Sequence, residues 1–298
     1  MELIEATSAG TEDLYYVDLE LYDTTGYGSV YILDAERPAV VDTGTGRNYE
    51  WILDALAELG IDRDELSVIA PTHVHLDHAG GVGYLAGACP NADVCLYEAG
   101  AQFLTDPEPI WEGTREVVGD RIEYYAEPKP VPEDRIVACA DGDTIDLGDH
   151  SLDVHHAPGH AFHQAVFYDP ANDGLFTADA AGIYVPGSGV RQTSPPPGFD
   201  LAGCLDDVTM MQEIDPAALY YGHFGDRATD DLLAEYATVI ESWVERVRRK
   251  REELDDDDAV VEYFVQRAGT LDDWTAHHAR GEERMNVDGV LQYLDAEE

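Results

Sequence analysis

The stretch HVHLDH at residues 73–78 decides how this sequence is interpreted. It directly follows residues 67–70, an apolar run whose length and position predict a short buried strand. Residues two apart in an extended loop point to the same side, so the first two histidines and the aspartate share one side. The third histidine faces another direction. One short segment at the end of a strand therefore offers two sets of ligand atoms.

The residue types of this stretch favour a transition metal. Neutral imidazole and carboxylate groups suit Zn²⁺, and also iron or manganese, better than Ca²⁺ or Mg²⁺. A lone histidine is commonly structural, but three histidines beside an acid in so short a run are typical of a metal site. We therefore predict that metal is held by His73, His75, Asp77 and His78.

Three further polar residues stand at the ends of predicted apolar strands, namely His160, Asp179 and His223. Burying such a group without a partner costs several kcal/mol, and convergence on metal ions removes that cost. Asp42 ends another predicted strand but has no histidine beside it in the sequence. We predict that Asp42 accepts a hydrogen bond from a ligand imidazole and so orients that ring.

In this order, Asp42, the HVHLDH stretch, His160, Asp179 and His223 resemble the ordered motifs of the metallo-β-lactamase superfamily. Several motifs in a fixed order make the resemblance specific, and it covers about the first three quarters of the chain. The resemblance implies an α/β fold, a four-layer αββα sandwich with the site at the edge of its two sheets. It also implies two metal ions, taken as Zn²⁺ with iron or manganese as alternatives.

The resemblance further divides the predicted ligands between the two ions. It implies that one ion is bound by His73, His75 and His160. The other ion is bound by Asp77, His78 and His223, with Asp179 bridging the pair. Two ions about 3.5–4 Å apart lower the pKa of a shared water, and the resulting hydroxide attacks a carbonyl or phosphoryl centre.

Three residues are candidates for a direct part in catalysis. Asp77 is able to accept a proton, although a carboxylate that binds metal is a poor base. His163, three positions after His160, is predicted either to contact substrate or to orient a ligand. Tyr184, just beyond Asp179, is predicted to donate a hydrogen bond to a substrate oxygen, as tyrosines do in related lactonases; the alternative is a plain wall residue.

The apolar pattern divides the chain into a main domain and a helical extension. Residues 1–228 form the predicted metallo-β-lactamase domain, with a helical insertion at about residues 99–135. Residues 229–298 form predicted C-terminal helices packed on the same domain, and the first of them has a long apolar stripe. That stripe either packs internally or pairs with a second copy in a homodimer. A capping box at Thr270 and Asp273 predicts the start of a later helix.

The charge of the chain is unusual. Its 298 residues include 62 acidic and 17 basic ones, for a formal net charge of −45. Molar salt shortens the Debye length to about 3 Å and screens this self-repulsion, so we predict a halophilic archaeon or similar organism as the source. The acidity makes nucleic acid an unfavourable partner. With no evident secretory signal or membrane-spanning run, we expect a cytoplasmic protein that acts on a small molecule without a membrane partner.

Fold alone does not decide the substrate in this superfamily. Within the superfamily, the sequence looks most similar to a group of archaeal and bacterial hydrolases of unassigned substrate. By overall plan its characterised relatives are type II glyoxalases and acyl-homoserine lactonases, so we predict hydrolysis of a small ester, thioester or lactone. A phosphodiesterase or nuclease, similar to tRNA 3′-end processing enzymes, is an alternative that a basic surface patch would favour. A second alternative is an oxidoreductase similar to persulfide dioxygenases, with one iron ion bound by His73, His160 and Asp179. A non-catalytic binding protein is the third.

Overall fold

The computed structural model describes residues 2–269 and 274–297. The strands form two large sheets and a small hairpin. The first sheet contains, in spatial order, β1 (Leu3–Glu5), β2 (Leu14–Asp18), β3 (Ser29–Leu33), β4 (Ala39–Val41), β5 (Val68–Ala70), β6 (Asp93–Tyr97) and β7 (Ile136–Cys139). The other strands are β8 (Thr144–Asp146), β9 (Ser151–His156), β10 (Ala165–Asp169), β11 (Gly174–Ala178), β12 (Ile183–Val185), β13 (Gly189–Arg191), β14 (Ala218–Tyr221) and β15 (Gly225–Ala228).

The helices connect and flank these sheets. They are α1 (Tyr49–Leu59), α2 (Leu76–Ala79), α3 (Val82–Ala88), α4 (Ala101–Thr105), α5 (Glu108–Val118), α6 (Leu201–Ile214), α7 (Leu232–Leu254), α8 (Asp257–Val265) and α9 (Ala276–Glu297). α1 ends at Gly60, which has a φ of 80° that glycine adopts without steric cost. Between β6 and β7 the chain forms α4, α5 and single helical turns, in the range predicted for the helical insertion.

The topology brings several strand ends to one edge of the molecule. In the first sheet β4, β5, β6 and β7 are parallel, so their carboxyl ends point the same way. The second sheet has the order β15-β14-β11-β10-β9-β8, and β11 and β14 are parallel within it. The two sheets are joined near this edge by the Ala165 N–H, which donates to the Thr72 carbonyl at 2.9 Å.

Three apolar layers hold the elements together. Inward-facing residues of both sheets, such as Val41, Phe167 and Phe176, form a core between the sheets. α1 and α3 cover the outer face of the first sheet, where Leu56 is fully buried. α6, α7, α8 and α9 cover the outer face of the second sheet around Trp243. The predicted four-layer αββα sandwich with C-terminal helices is therefore confirmed.

The C-terminal helices use their apolar faces within the chain. The predicted stripe of α7 is buried at Tyr236, Ile240 and Trp243 in the core against the second sheet. The capping box predicted at Thr270 and Asp273 lies outside the described residues. Within the described ranges, no helix is both long enough and apolar enough to cross a membrane.

Candidate metal centre

Four ligand atoms converge where β5, β9 and β11 end. Nε2 of His73 and Nε2 of His160 each lie 3.0 Å from Nδ1 of His75. Asp179 Oδ2 lies 3.1 Å from His160 Nε2 and 4.0 Å from His73 Nε2. Ligand atoms of these four residues all lie within 4.8 Å of one another. The group is compact enough for one divalent ion.

A second group forms beside the first, at α2 and the end of β14. It consists of Asp77, His78 and His223, and His223 Nε2 lies 3.7 Å from Asp77 Oδ2. Asp179 faces this group as well, since its Oδ1 lies 3.7 Å from His223 Nε2. Its Oδ2 lies 3.5 Å from His78 Nε2. Asp179 thus lies between the two groups, which is the placement that a bridging ligand requires.

Asp42 determines the orientation of the imidazole rings that follow β5, those of His73 and His78. Its Oδ2 accepts the His78 Nδ1–H at 2.8 Å, and its Oδ1 accepts both the Thr72 N–H at 2.8 Å and the Thr72 hydroxyl at 2.9 Å. The Thr72 oxygen lies 3.1 Å from His73 Nδ1 and is placed to accept its N–H. With Nδ1 protonated, Nε2 of each ring keeps its lone pair for a metal. The hydrogen bond predicted for Asp42 is present.

His223 is oriented by a backbone group. Its Nδ1–H donates to the Tyr27 carbonyl at 2.6 Å, and the two rings are 4.8 Å apart between centroids. The Tyr27 ring also packs against the rings of His278 and Trp274, with centroid separations of 4.6 Å and 5.0 Å. The C-terminal residues therefore support the ring of a predicted metal ligand, a contact that the sequence did not predict.

Burial and neighbouring charges determine the protonation of the cluster. Burial lowers the pKa of His73 and His75 and lowers the pKa of His160 to about 3, so these rings are neutral. Burial alone would lower the pKa of His78, but the carboxylates of Asp42 and Asp179 raise it well above its usual value. Burial would raise the pKa of Asp179, but His160 and His78 hold it well below its usual range. The two carboxylates therefore attract positive charge to this position.

Hydrogen bonding leaves some of these buried polar atoms unused. Among the described residues, His78 Nε2 and Asp179 Oδ1 have no hydrogen-bond partner although both atoms are buried. Such atoms are costly in a protein interior unless a ligand satisfies them. Imidazole nitrogen and carboxylate oxygen are ligands of zinc, iron and manganese. The residues present therefore fit a divalent metal centre.

A cavity of about 260 Å³ opens in front of the ligand atoms. Its wall is mainly apolar and includes residues from the segment 103–118, from the loop 193–197 and from α9. Its described lining residues include neither lysine nor arginine. The ligands that reach its surface are His75, Asp77, His160, Asp179 and His223.

His163 lies in the wall of this cavity. Its ring centroid is 5.3 Å from that of His75 and 6.0 Å from that of His73. Burial lowers the pKa of His163 to about 2, so the ring is neutral. Its Nδ1 has no hydrogen-bond partner within the described ranges. The placement is compatible with both predicted roles, contact with substrate and support of a ligand ring.

Tyr184 of β12 packs against Tyr221 and Arg227. It is not among the described residues that line the cavity. Its ring faces Tyr221, 5.8 Å away between centroids, and the guanidinium of Arg227 lies 4.1 Å above it. Of the two predicted roles, contact with substrate and a plain wall residue, neither is tested by this placement, and the hydrogen bond to a substrate oxygen stays a prediction.

Three tyrosines that the sequence did not single out line the cavity wall, namely Tyr22, Tyr27 and Tyr125. The hydroxyl oxygens of Tyr22 and Tyr125 lie 2.5 Å apart. Arg121 lies 4.9 Å above the Tyr22 ring and forms a buried ion pair with Glu282 of α9. Because these residues are distant in the sequence and share no spacing pattern, only the fold brings them together.

The αββα sandwich carries, at the edge of its sheets, two clusters of histidine and aspartate side chains. This combination is typical of a class of metal-binding α/β proteins. The chain belongs to the metallo-beta-lactamase superfamily, whose family model matches residues 23–223. The matched range contains all seven predicted metal ligands, from His73 to His223. The superfamily predicted from the motifs is thus confirmed.

Characterised relatives are distant. The chain is 27% identical over 203 residues to the metallo-beta-lactamase fold-containing protein ST1585 of Sulfurisphaera tokodaii, covering 66% of this chain and 72% of that protein. It is 28% identical over 181 residues to the acyl-coenzyme A thioesterase MBLAC2 of Gallus gallus. That second alignment covers 56% of this chain and 62% of the thioesterase, so it spans less than two thirds of the relative's length.

Solved structures show the same fold. The ST1585 structure from Sulfolobus tokodaii matches with a TM-score of 0.72 at 20% identity, covering 95% of this chain and 99% of that chain. The metallo-beta-lactamase family protein TTHA1429 of Thermus thermophilus matches with a TM-score of 0.67 at 22% identity, covering 96% of this chain and 94% of that chain. At these identities the likeness concerns the fold alone.

Proposed function

We propose that this protein is a metal-dependent hydrolase that cleaves an ester or thioester whose acyl group is uncharged. The superfamily and the two ligand groups support hydrolysis at the level of class. Among ester, thioester and lactone, the likeness to acyl-coenzyme A thioesterases favours the thioester. The proposed cofactor is a pair of zinc ions, with iron or manganese as alternatives, held by the seven predicted ligands.

The charge of the cavity wall carries this proposal. The described lining residues include the carboxylates of Asp77, Asp179 and Glu282 but no lysine or arginine. Arg121, beside the cavity, is already paired with Glu282. Beyond the metal ions, a phosphate or carboxylate enclosed here would lose its hydration without gaining a cationic partner, at a cost of several kcal/mol. The enclosed part of the substrate is therefore neutral.

Each part of the site has a separate task in such a reaction. Metal ions held by this donor set would supply a water of lowered pKa and would polarise the scissile carbonyl. Asp179 presents Oδ2 to His160 in one ligand group and Oδ1 to His223 in the other. The apolar wall excludes bulk water, which strengthens the hydrogen bonds that the chain makes to a substrate oxygen.

The hydroxyl pair of Tyr22 and Tyr125 is the proposed hydrogen-bond donor to that oxygen. Two hydroxyls that share one hydrogen bond have one further hydrogen to donate. Burial, together with the nearby charge of Asp77, raises the pKa of both phenols, so both stay protonated. The free hydrogen meets the carbonyl oxygen as negative charge develops on it.

Replacing both Tyr22 and Tyr125 with phenylalanine is expected to lower kcat about 100-fold, the usual loss when one donor to a developing oxyanion is removed, because either hydroxyl alone would still have a hydrogen to donate. Metal content should stay unchanged, because no ligand atom is touched. Tyr168→Phe is the matched control, since that hydroxyl binds the exposed Asp173 and not the cavity. The measurement is steady-state kinetics, and a kcat of the Tyr22→Phe/Tyr125→Phe double variant equal to that of the control would remove the pair from the mechanism.

Phosphodiester cleavage is the main alternative. Cationic side chains near the metal ions would stabilise the negatively charged phosphodiester. The structure does contain a basic groove, at α7 and α8. That groove and the metal cavity share no lining residue among those described. We therefore retain a phosphodiesterase only as an outcome of the test. The groove is lined by Arg246, Arg249, Lys250 and Arg267, among others.

The test compares two substrates that differ in charge at the end of the acyl group. Hexanoyl and adipoyl thioesters of N-acetylcysteamine are hydrolysed by the metal-loaded chain at high salt, beside a bis(nitrophenyl) phosphate assay. We expect kcat/KM to be about 100-fold higher for hexanoyl, because the adipoyl carboxylate has no cationic partner in the cavity. A preference for adipoyl, or cleavage of the phosphodiester alone, would contradict the proposed function.

A further inference from the structure

Helix α5 forms one wall of the cavity with an apolar stripe that no other described part of the chain covers fully. Side chains at helical spacing along α5 line the cavity. Yet no residue of Glu108–Val118 is fully buried. An apolar helix face that stays open toward a cavity needs a ligand to remove it from water. The lining residues of α5 are Pro109, Ile110, Gly113, Thr114, Val117 and Val118.

The facing wall is apolar as well. It is formed by the proline loop 195–197, by Ile183 of β12 and by Met285 of α9. Phe103 and Phe162 also line the cavity, with ring centroids 6.3 Å apart, and Phe162 is 55% exposed. We call the space between α5 and the proline loop, Ile183 and Met285 the tail slot. It is continuous with the ligand atoms because both belong to one cavity.

We infer that the tail slot binds the aliphatic tail of the acyl group, and that chain length is the property by which this site selects its substrate. The inference rests on the proposed function. A cavity of about 260 Å³ has room for on the order of ten groups of the size of a water molecule or a methylene. The preferred acyl group is therefore a neutral, medium-length chain.

Gly113 leaves open space at the wall of the tail slot. It lines the cavity from the interior of α5, where glycine lowers helix stability relative to other residues. A Cβ added at Gly113 meets no other atom within 4 Å. A larger side chain at this position therefore extends into open space instead of clashing with the chain. The room that glycine leaves is available to a substrate tail.

The test is the chain-length profile of Gly113→Leu. Thioesters of N-acetylcysteamine with butanoyl, hexanoyl, octanoyl, decanoyl and dodecanoyl groups are compared by kcat/KM. In the parent chain each added methylene should raise kcat/KM about fourfold until the slot is full. Leucine at position 113 should shorten the optimum by about four carbons, the number in its side chain, and lower the ratio of decanoyl to butanoyl rates at least about tenfold.

Gly87→Leu is the matched control. Gly87 also lies in a helix, a Cβ there also meets no atom within 4 Å, and it does not line the cavity. Its chain-length profile should equal that of the parent chain. Met285→Ala should act in the opposite direction and shift the optimum to longer chains. Equal profiles for Gly113→Leu and Gly87→Leu would overturn the inference.

A binding measurement separates this inference from the proposed function. Calorimetry with decanoate and butanoate reports on the tail slot whether or not the chain hydrolyses any thioester. We expect the parent chain to prefer decanoate at least about tenfold and Gly113→Leu to lose that preference. If no thioester is cleaved but this loss is seen, the proposed function fails and the tail slot stands. If thioesters are cleaved without any chain-length preference, the tail slot fails alone.

Discussion

Replacing Asp179 with alanine is expected to remove metal binding and hydrolysis together. The carboxylate faces both ligand sets, at 3.1 Å from His160 Nε2, 3.5 Å from His78 Nε2 and 3.7 Å from His223 Nε2. Without it, the imidazoles lose the negative charge that offsets two divalent ions. We expect kcat to fall on the order of a thousandfold or more, as when one member of a catalytic unit is removed.

The measurement pairs metal content with kinetics on the same samples. Plasma mass spectrometry should give about two metal ions per parent chain and at most about one per Asp179→Ala chain. Asp169→Ala is the matched control, because Asp169 is also fully buried and also binds a histidine, His150 at 2.9 Å, away from both ligand groups. That control should lose stability but keep its metal. Unchanged metal content in Asp179→Ala would contradict the bridging role.

Replacing Asp42 with alanine is expected to damage both stability and metal affinity. The carboxylate accepts three buried hydrogen bonds, from the Thr72 N–H, the Thr72 hydroxyl and the His78 Nδ1–H. Alanine leaves all three donors without an acceptor, which should lower the free energy of unfolding by about 3–5 kcal/mol. Losing the partner that holds a ligand imidazole typically weakens metal binding about 10–100-fold.

The backbone at Asp42 adds to this cost. Its φ is 61°, a left-handed conformation that aspartate and asparagine tolerate better than alanine does. Asp42→Asn should therefore keep more stability than Asp42→Ala while still weakening metal affinity, because an amide is a poorer partner for His78. Denaturant unfolding of the chelated chain and zinc competition with a chelator measure the two effects separately. Equal metal affinity in the parent chain and both variants would show that Asp42 does not orient His78.

The metal ligands were predictable from sequence because each belongs to a local pattern. A strand end determines where His160, Asp179 and His223 lie, and parallel strands bring such ends to one edge whatever the rest of the chain does. Asp42 was predictable for the same reason, and its partner His78 lies just beyond the neighbouring parallel strand β5. Such a local pattern predicts the position of a ligand in any fold in which these strands pair.

The cavity wall was not predictable in this way. Arg121 and Glu282 are 161 positions apart, and Tyr22 and Tyr125 are 103 apart, so their contacts depend on how separate elements pack. The apolar stripe of α5 is visible in the sequence, but a helix that packs on a core shows the same spacing of apolar residues. The spacing alone therefore does not show that α5 lines a cavity. Tyr184 illustrates the converse, since closeness to Asp179 in sequence does not place its side chain in the cavity.

We propose that this chain is a hydrolase that depends on two bound metal ions. The most direct measurement is thioester hydrolysis by one sample in three states: as purified, after chelation, and during stepwise return of zinc. We predict that chelation abolishes hydrolysis and that activity returns fully only as metal content approaches about two ions per chain. Hydrolysis by the chelated, metal-free chain would contradict the claim, as would a purified protein that holds about one iron per chain and hydrolyses no thioester.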